Sequence, residues 1–300
     1  MLVENQLVNR EDLIRMMLGE FGSESGQLEF IPLGEDSWSY RYGKYWVSVR
    51  RDLGGHFPAA YEGAWLLRET GMEFILAPLR GRSGRIVHSV DGFPVVVFPY
   101  VDRLTHGGAG GATPAQLELL TRRVAEVHRC ELPVGLPVED FRLPFAEELE
   151  KALLTARSGT DVGPMSRDLH RLIGARWDYL EAQRREFAEV AARCARICRE
   201  GAKHALTHGD PSRANVLLGD DVVILDWGGL MWSPPERDWS ALGRHFGVPP
   251  RGRAEMLRFY ELRWTLAEVA EYTGRFVKPH TGDADDQAMW ERLLRYVPAE

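Results

Sequence analysis

Cysteine is scarce: three residues, Cys130, Cys194 and Cys198, in a chain of 300. An odd, small number excludes a disulfide framework, and two sulfurs four residues apart do not make a zinc site, so the expectation is reduced thiols in the cytoplasm. No run of about 18 apolar residues occurs, which excludes a membrane-spanning helix of ordinary length. The first residues, MLVENQLVNREDLIRMM, mix charges without an apolar block, unlike a secretory signal. A basic surplus is also missing. The net charge of −7 argues against a nucleic-acid partner and is compatible with a cationic small molecule. Neither a Walker loop, G-x-x-x-x-G-K-[ST], nor a G-x-G-x-x-G occurs, and no repeat of fixed period. With 44% hydrophobic residues, the chain is long enough for one large or two coupled domains.

The chemistry-bearing residues gather in Thr207–Trp227, THGDPSRANVLLGDDVVILDW. Two short apolar runs, Val216–Leu218 and Val222–Leu225, flank a Gly-Asp-Asp turn, which predicts a β-hairpin. A polar loop carrying Asp210 and Asn215 leads into the first run, and Asp226 closes the second. A tight hairpin brings its two ends together, so these three side chains should converge. Asn215 and Asp226 are hard oxygen ligands that suit Mg2+ held against nucleotide phosphates. Asp210 is then left to accept a proton from an acceptor hydroxyl. The alternative is an ordinary hairpin with polar caps.

The pattern H-G-D-x-x-x-x-N followed by D-W resembles the catalytic loop of the aminoglycoside phosphotransferase and choline kinase family, the small-molecule relatives of protein kinases. The run ELRWTLAEVAEYTGRF near the C-terminus is similar to the same region of spectinomycin-type phosphotransferases. The resemblance implies an α+β, protein-kinase-like two-lobe fold: a small antiparallel-sheet N-lobe over residues 1–101 and a mostly helical C-lobe over 102–300. It also implies Mg2+ as cofactor, ATP or GTP as phosphate donor, and a hydroxylated acceptor.

Local patterns fit that order of elements. Asn9 caps a helix over 9–20, with Glu11 and Asp12 in its first turn. Strands follow at 28–32, 38–42 and 45–51, joined by Gly34–Ser37, a candidate phosphate flap, and Gly43-Lys44. A helix over 57–70 and strands over 85–90 and 93–100 come next, the strands joined by Asp91-Gly92. In kinase-like folds a cation on the third strand contacts phosphates and pairs with a glutamate of the next helix. Arg50 and Glu62 are the candidates. The register is open by two positions, with Ser48 on the same face as Arg50. Phe98, Pro99, Tyr100 and Val101 look like the inter-lobe segment that meets the nucleotide base; Pro99 has no N–H, and Val101 supplies the donor.

The Gly-rich stretch 102–113 reads as a connector. Helices are predicted over 114–129, 145–157, 167–200 and 253–276. His128 and His208 read as structural, and Asp238 as a cap or buttress of the following helix. Candidate acceptor contacts are Arg213, Trp232, and a row on the last helix, Trp264, Glu268 and Glu271. A surface or half-buried structural role is the alternative for Arg50, Glu62, Arg213 and this row. The expected activity is O-phosphotransfer to an aminoglycoside- or aminocyclitol-like antibiotic. The alternatives are a metabolic or biosynthetic small-molecule kinase and a nucleotide-binding pseudokinase scaffold.

Overall fold

A computed structural model describes residues 3–22, 26–33, 37–101, 105–106, 111–219 and 221–298. The flap turn at Gly34–Asp36 and most of the 102–113 connector lie outside the described residues. Contacts gather into two compact units: Met1–Val138 with His204–Pro250, and Glu139–Lys203 with Arg251–Glu300. This division follows contacts, whereas the lobe boundary expected after residue 101 follows chain order.

In the first unit, helix α1 (Arg10–Phe21) starts where the Asn9 side chain accepts from the backbone N–H groups of Glu11 and Asp12. Strands β1 (Leu28–Ile31), β2 (Ser37–Tyr42), β3 (Tyr45–Arg50), β4 (Val87–Val90) and β5 (Phe93–Pro99) form one antiparallel sheet, in the order β1-β2-β3-β5-β4. Alternation gives the sheet two apolar faces. Val47, Val49, Val95 and Val97 pack with Leu13 and Met17 of α1. Val96 packs on the other face with Ile86 and with Tyr61 of α2 (Pro58–Glu69). Ser48 lies opposite Val96 in the β3–β5 register, so Ser48 and Arg50 share the α2 face.

After β6 (Thr105–His106), helix α3 (Pro114–Val127) opens on a capping box made by Thr113 and Gln116. The remaining part of the unit carries β7 (Ala205–Thr207), β8 (Val216–Leu218) and β9 (Val222–Ile224). A short 3-10 turn (Trp227–Gly229), β10 (Met231–Ser233) and α7 (Glu236–Phe246) complete it. The expected hairpin is present: Val216 faces Ile224 and Leu218 faces Val222. β10 returns to pair with β7, Met231 opposite Thr207.

The second unit is helical: α4 (Ala146–Ser158), α5 (Ser166–Ala175), α6 (Trp177–Arg199), α8 (Ala254–Phe276) and α9 (Ala284–Tyr296). Its core joins Leu149, Leu169, Leu180, Phe187, Phe259, Leu266 and Leu293. The single helix expected over 167–200 is two helices, broken at Arg176 (φ −108°, ψ 14°). Gly174 weakens the helix just before the break. Trp177 just beyond it stacks under the Arg157 guanidinium, 4.0 Å away. The amphipathic charge pattern continues through the break and does not register it. Among the described residues no helix is long and apolar enough to cross a membrane. The three cysteines are free thiols.

Candidate active site

The loop between β7 and β8 is held from beneath by one buried carboxylate. Asp238, in the first turn of α7, accepts from His208 N–H (3.0 Å), Gly209 N–H (2.6 Å) and His128 Nε2 (2.9 Å). Burial alone would raise its pKa, but the His128 hydrogen bond and the positive charge of nearby Arg237 hold it below the usual carboxylate range. Asp238 is thus a buttress of this loop as well as of its own helix. Gly209 has φ +98°, and a Cβ there would overlap the Arg237 guanidinium, so glycine is required twice over.

His208 is spent on the backbone. Its Nδ1 accepts from Asp210 N–H (3.1 Å), and its Nε2 donates to the Leu225 carbonyl (2.6 Å). A ring that both accepts and donates is a neutral imidazole, and burial keeps its pKa below the ordinary histidine value. The ring packs edge-on against Trp227, 4.6 Å between centroids.

Asp210 and Asn215 touch. The Asn215 amide nitrogen donates to the Asp210 carbonyl (3.0 Å) and to its Oδ2 (2.9 Å), and Ser212 Oγ reaches the same Oδ2 (3.3 Å). With the nitrogen so engaged, Asn215 Oδ1 is the atom turned to other ligands. Leu225 N–H donates to the Asn215 carbonyl (2.8 Å), which draws the exit of β9 to the same place. Asp226 follows in the left-handed region (φ 58°, ψ 60°). Asp210 and Asp226 are part-exposed, at 39% and 40% of their side-chain surface, so both are accessible to a ligand.

Across from Asp210, His245 Nε2 stands 3.8 Å from Oδ1. Burial, with Arg244 and Arg213 adding positive charge, lowers the His245 pKa to about 4. Arg213 is exposed and tied to the end of α7: its Nε donates to the His245 carbonyl (2.5 Å) and its guanidinium lies 5.3 Å from the Phe246 ring centroid.

Arg50 ends β3 as a buried cation, 6% exposed. The expected Arg50–Glu62 pair does not form. Glu62 pairs instead with Arg80, which also lies over the Trp65 ring. Arg50 Nη2 donates to His56 Nε2 (2.8 Å), and His56 Nδ1 lies 2.7 Å from Tyr61 Oη. The physical reason is helical phase. Tyr61 is the α2 residue buried against the sheet, which leaves its neighbour Glu62 on a different side of the helix. Sequence reasoning missed His56, Tyr61 and His245. The only local trace of His56 is its place in Gly-Gly-His-Phe-Pro, between a strand and a helix.

Phe98 and Pro99 close β5 opposite Trp46 and Tyr45. Tyr100 N–H donates to the Lys44 carbonyl (2.9 Å), and its ring is held between Trp46 and Arg41. Val101 follows, half-buried. Trp232 pairs with Leu206 in the β7–β10 ladder, and its N–H donates to Pro137. On α8, Trp264 Nε1 donates to Tyr296 Oη (3.0 Å) and Glu268 accepts from Tyr272 Oη (2.7 Å); Glu271 is exposed.

The antiparallel sheet, the H-G-D-x-x-x-x-N loop and the following Asp-Trp define a protein-kinase-like phosphotransferase. Comparison with known proteins agrees. Residues 66–272 match the model of the phosphotransferase enzyme family. Protein StrN of Streptomyces griseus is 54% identical, over 99% of this chain and 97% of its own length. Spectinomycin phosphotransferase APH(9)-Ia, in complex with ADP and spectinomycin, superposes with a TM-score of 0.70 at 16% identity, over 97% of this chain and 95% of that one. The GDP complex of aminoglycoside 2'-phosphotransferase-IIIa gives 0.58 at 16%, over 96% and 98%. A choline/ethanolamine kinase family protein from Mesorhizobium loti gives 0.54 at 16%, over 96% and 94%. The chain belongs to the phosphotransferase enzyme family. It is a small-molecule kinase.

Proposed function

We propose that this enzyme moves the γ-phosphoryl group of ATP or GTP to a hydroxyl of an aminoglycoside- or aminocyclitol-like antibiotic. The observation that carries the reading is the Asp210–Asn215 contact on a loop that the β8–β9 hairpin joins to Asp226. Support for a nucleotide comes from relatives of the same fold described with ADP, AMP or GDP, and for the acceptor class from those described with spectinomycin or kanamycin. The net charge of −7 suits a cationic acceptor. The division of labour assumes an N-lobe over 1–101 and a C-lobe over 102–300, with the protein working in the cytoplasm.

The donor set fits a divalent cation. Asn215 presents Oδ1 because its nitrogen is taken by Asp210, and Asp226 adds a carboxylate. Among the described residues no cluster of three His, Cys, Asp or Glu side chains could hold a metal without help, so the remaining ligands would be phosphate oxygens and water. Asn215 and Asp226 would hold Mg2+ there, where it would supply positive charge against the transferring phosphoryl group. Arg50 fits an anion: it is buried and its Nε has no partner among the described residues. It meets the phosphates on the donor side, while the Phe98–Val101 segment receives the base through Val101 N–H.

Asp210 orients the acceptor hydroxyl and takes its proton as the new P–O bond forms. Its Oδ2 accepts from Asn215 and Ser212, while Oδ1 is buried on the His245 side; the carboxylate as a whole is the group that meets the acceptor. Arg213, bound to the end of α7 on that side, stays a candidate contact for the γ-phosphate or the acceptor. Trp232, and Trp264, Glu268 and Glu271 on α8, stay as candidate acceptor contacts. The deciding experiment is a nucleotide-consumption screen with ATP and GTP over aminoglycosides, aminocyclitols and choline, with products weighed for an added phosphate. Transfer to choline alone would move the assignment to a metabolic kinase; no transfer to any acceptor would favour a nucleotide-binding scaffold.

A further inference from the structure

The five residues Leu53–Phe57 bind the strand carrying Arg50 to the turn carrying Asp226. His56 N–H closes a turn on the Leu53 carbonyl (2.9 Å), and Phe57 N–H donates to the Gly228 carbonyl (2.9 Å). The His56 ring packs close against Gly228, where any Cβ would overlap Nδ1. The ring also meets three functional groups: Arg50 Nη2 at 2.8 Å from Nε2, and Tyr61 Oη at 2.7 Å and Asp226 Oδ1 at 3.7 Å from Nδ1.

Chemistry sets the direction of these contacts. A guanidinium only donates, so His56 Nε2 is the acceptor and the ring carries its proton on Nδ1, the side of Tyr61 and Asp226. Burial pushes the Tyr61 hydroxyl well above its ordinary pKa, so the phenol stays protonated beside them. A carboxylate in this place would neutralise Arg50 and repel Asp226. An imidazole hydrogen-bonds Arg50, stands beside Asp226 at 3.7 Å, and leaves the positive charge of one and the negative charge of the other for ligands.

We infer that His56 is a positioning residue that locks Arg50 and Asp226 into one relation, so that the nucleotide phosphates and the divalent cation are received together. It thereby fills the place that Glu62 leaves. This rests on the phosphate and metal roles proposed for Arg50 and Asp226. His56 touches no reacting atom; it acts through its two neighbours.

The test reads binding rather than turnover. AMP-PNP and ADP are titrated into the full chain by calorimetry, with MgCl2 and with EDTA, and the ratio of the two affinities is taken. His56→Ala is expected to lower that ratio at least fivefold while the thermal transition persists. His56→Gln keeps an acceptor for Arg50 and is expected to recover at least half of the lost ratio on a logarithmic scale. An unchanged ratio in His56→Ala, or a loss that His56→Gln shares in full, overturns the inference. Should His56→Ala fail to fold, Tyr61→Phe is read in its place: a lowered ratio supports the lock, an unchanged one overturns it. Wild-type protein that binds no nucleotide under either condition overturns the assigned site, and the inference with it.

Discussion

The side-chain amide of Asn215 donates twice to Asp210, to its carbonyl at 3.0 Å and to its carboxylate at 2.9 Å. One contact fixes the backbone of the loop; the other aims the candidate base. Asn215→Asp would set two carboxylates against each other. Like charges at this range raise the apparent pKa of the pair. The acid limb of kcat/KM against pH is expected to move to higher pH, measured with nucleotide saturating.

Asp210→Ala removes the proton acceptor and leaves the donor side intact. Turnover is expected to fall by about 100- to 10,000-fold. Nucleotide affinity by equilibrium titration should stay within a few-fold. Near-wild-type turnover would remove Asp210 from the mechanism.

For Asp226 the expected loss is in metal-dependent binding. Asp226→Asn keeps the shape and deletes the charge. Nucleotide affinity in Mg2+ should fall toward the value in EDTA. An affinity that still responds fully to Mg2+ would place the cation elsewhere.

Asp238→Ala strands three donors, His208 N–H, Gly209 N–H and His128 Nε2, in a buried place. Breaking such a site is expected to cost about 3–5 kcal/mol. Denaturant unfolding measures it, with the two units followed by separate probes. The pH sign follows from the depressed pKa. The stabilisation is complete above the unfolded carboxylate value, about 3.9. It is lost as pH falls from there toward the folded value.

His245 gives a second acid window. Its folded pKa is about 4 against 6.5 unfolded. Between those values the unfolded chain binds the extra proton, so stability declines as pH drops from 6.5 to 4. His245→Gln is expected to flatten that decline in urea titrations at pH 7, 6 and 5. An identical slope in the variant would mean that other groups carry it.

Features set by short stretches of chain are legible in the sequence. The 207–227 hairpin is, because its two apolar runs and the oxygen side chains at its ends lie within about 20 residues. So are the Asn9 cap and the Asp91-Gly92 turn, each decided by local geometry. Partnerships across the fold are not. Glu62 is matched to Arg50 because both occupy suitable elements, but helical phase hands Glu62 to Arg80 and the face over Arg50 to Tyr61. His56 carries no periodic signal, since its partners lie 6 residues before it and 5 and 170 residues after it. The β7–β10 pairing spans an entire loop, and no local pattern announces it. The break at Arg176 is set by a single backbone torsion pair inside a continuous amphipathic pattern.

Asp226 holds a backbone shape that suits glycine better than any side chain, since a Cβ in that region costs roughly 1 kcal/mol. Here durability and chemistry therefore pull apart. Asp226→Gly should melt no lower than the native chain, and higher if relief of the backbone outweighs the added freedom of the unfolded state, while it forfeits the ligand. A tougher but inert enzyme of this kind would let acceptors be soaked in and held unreacted, so that the acceptor could be identified by what stays bound.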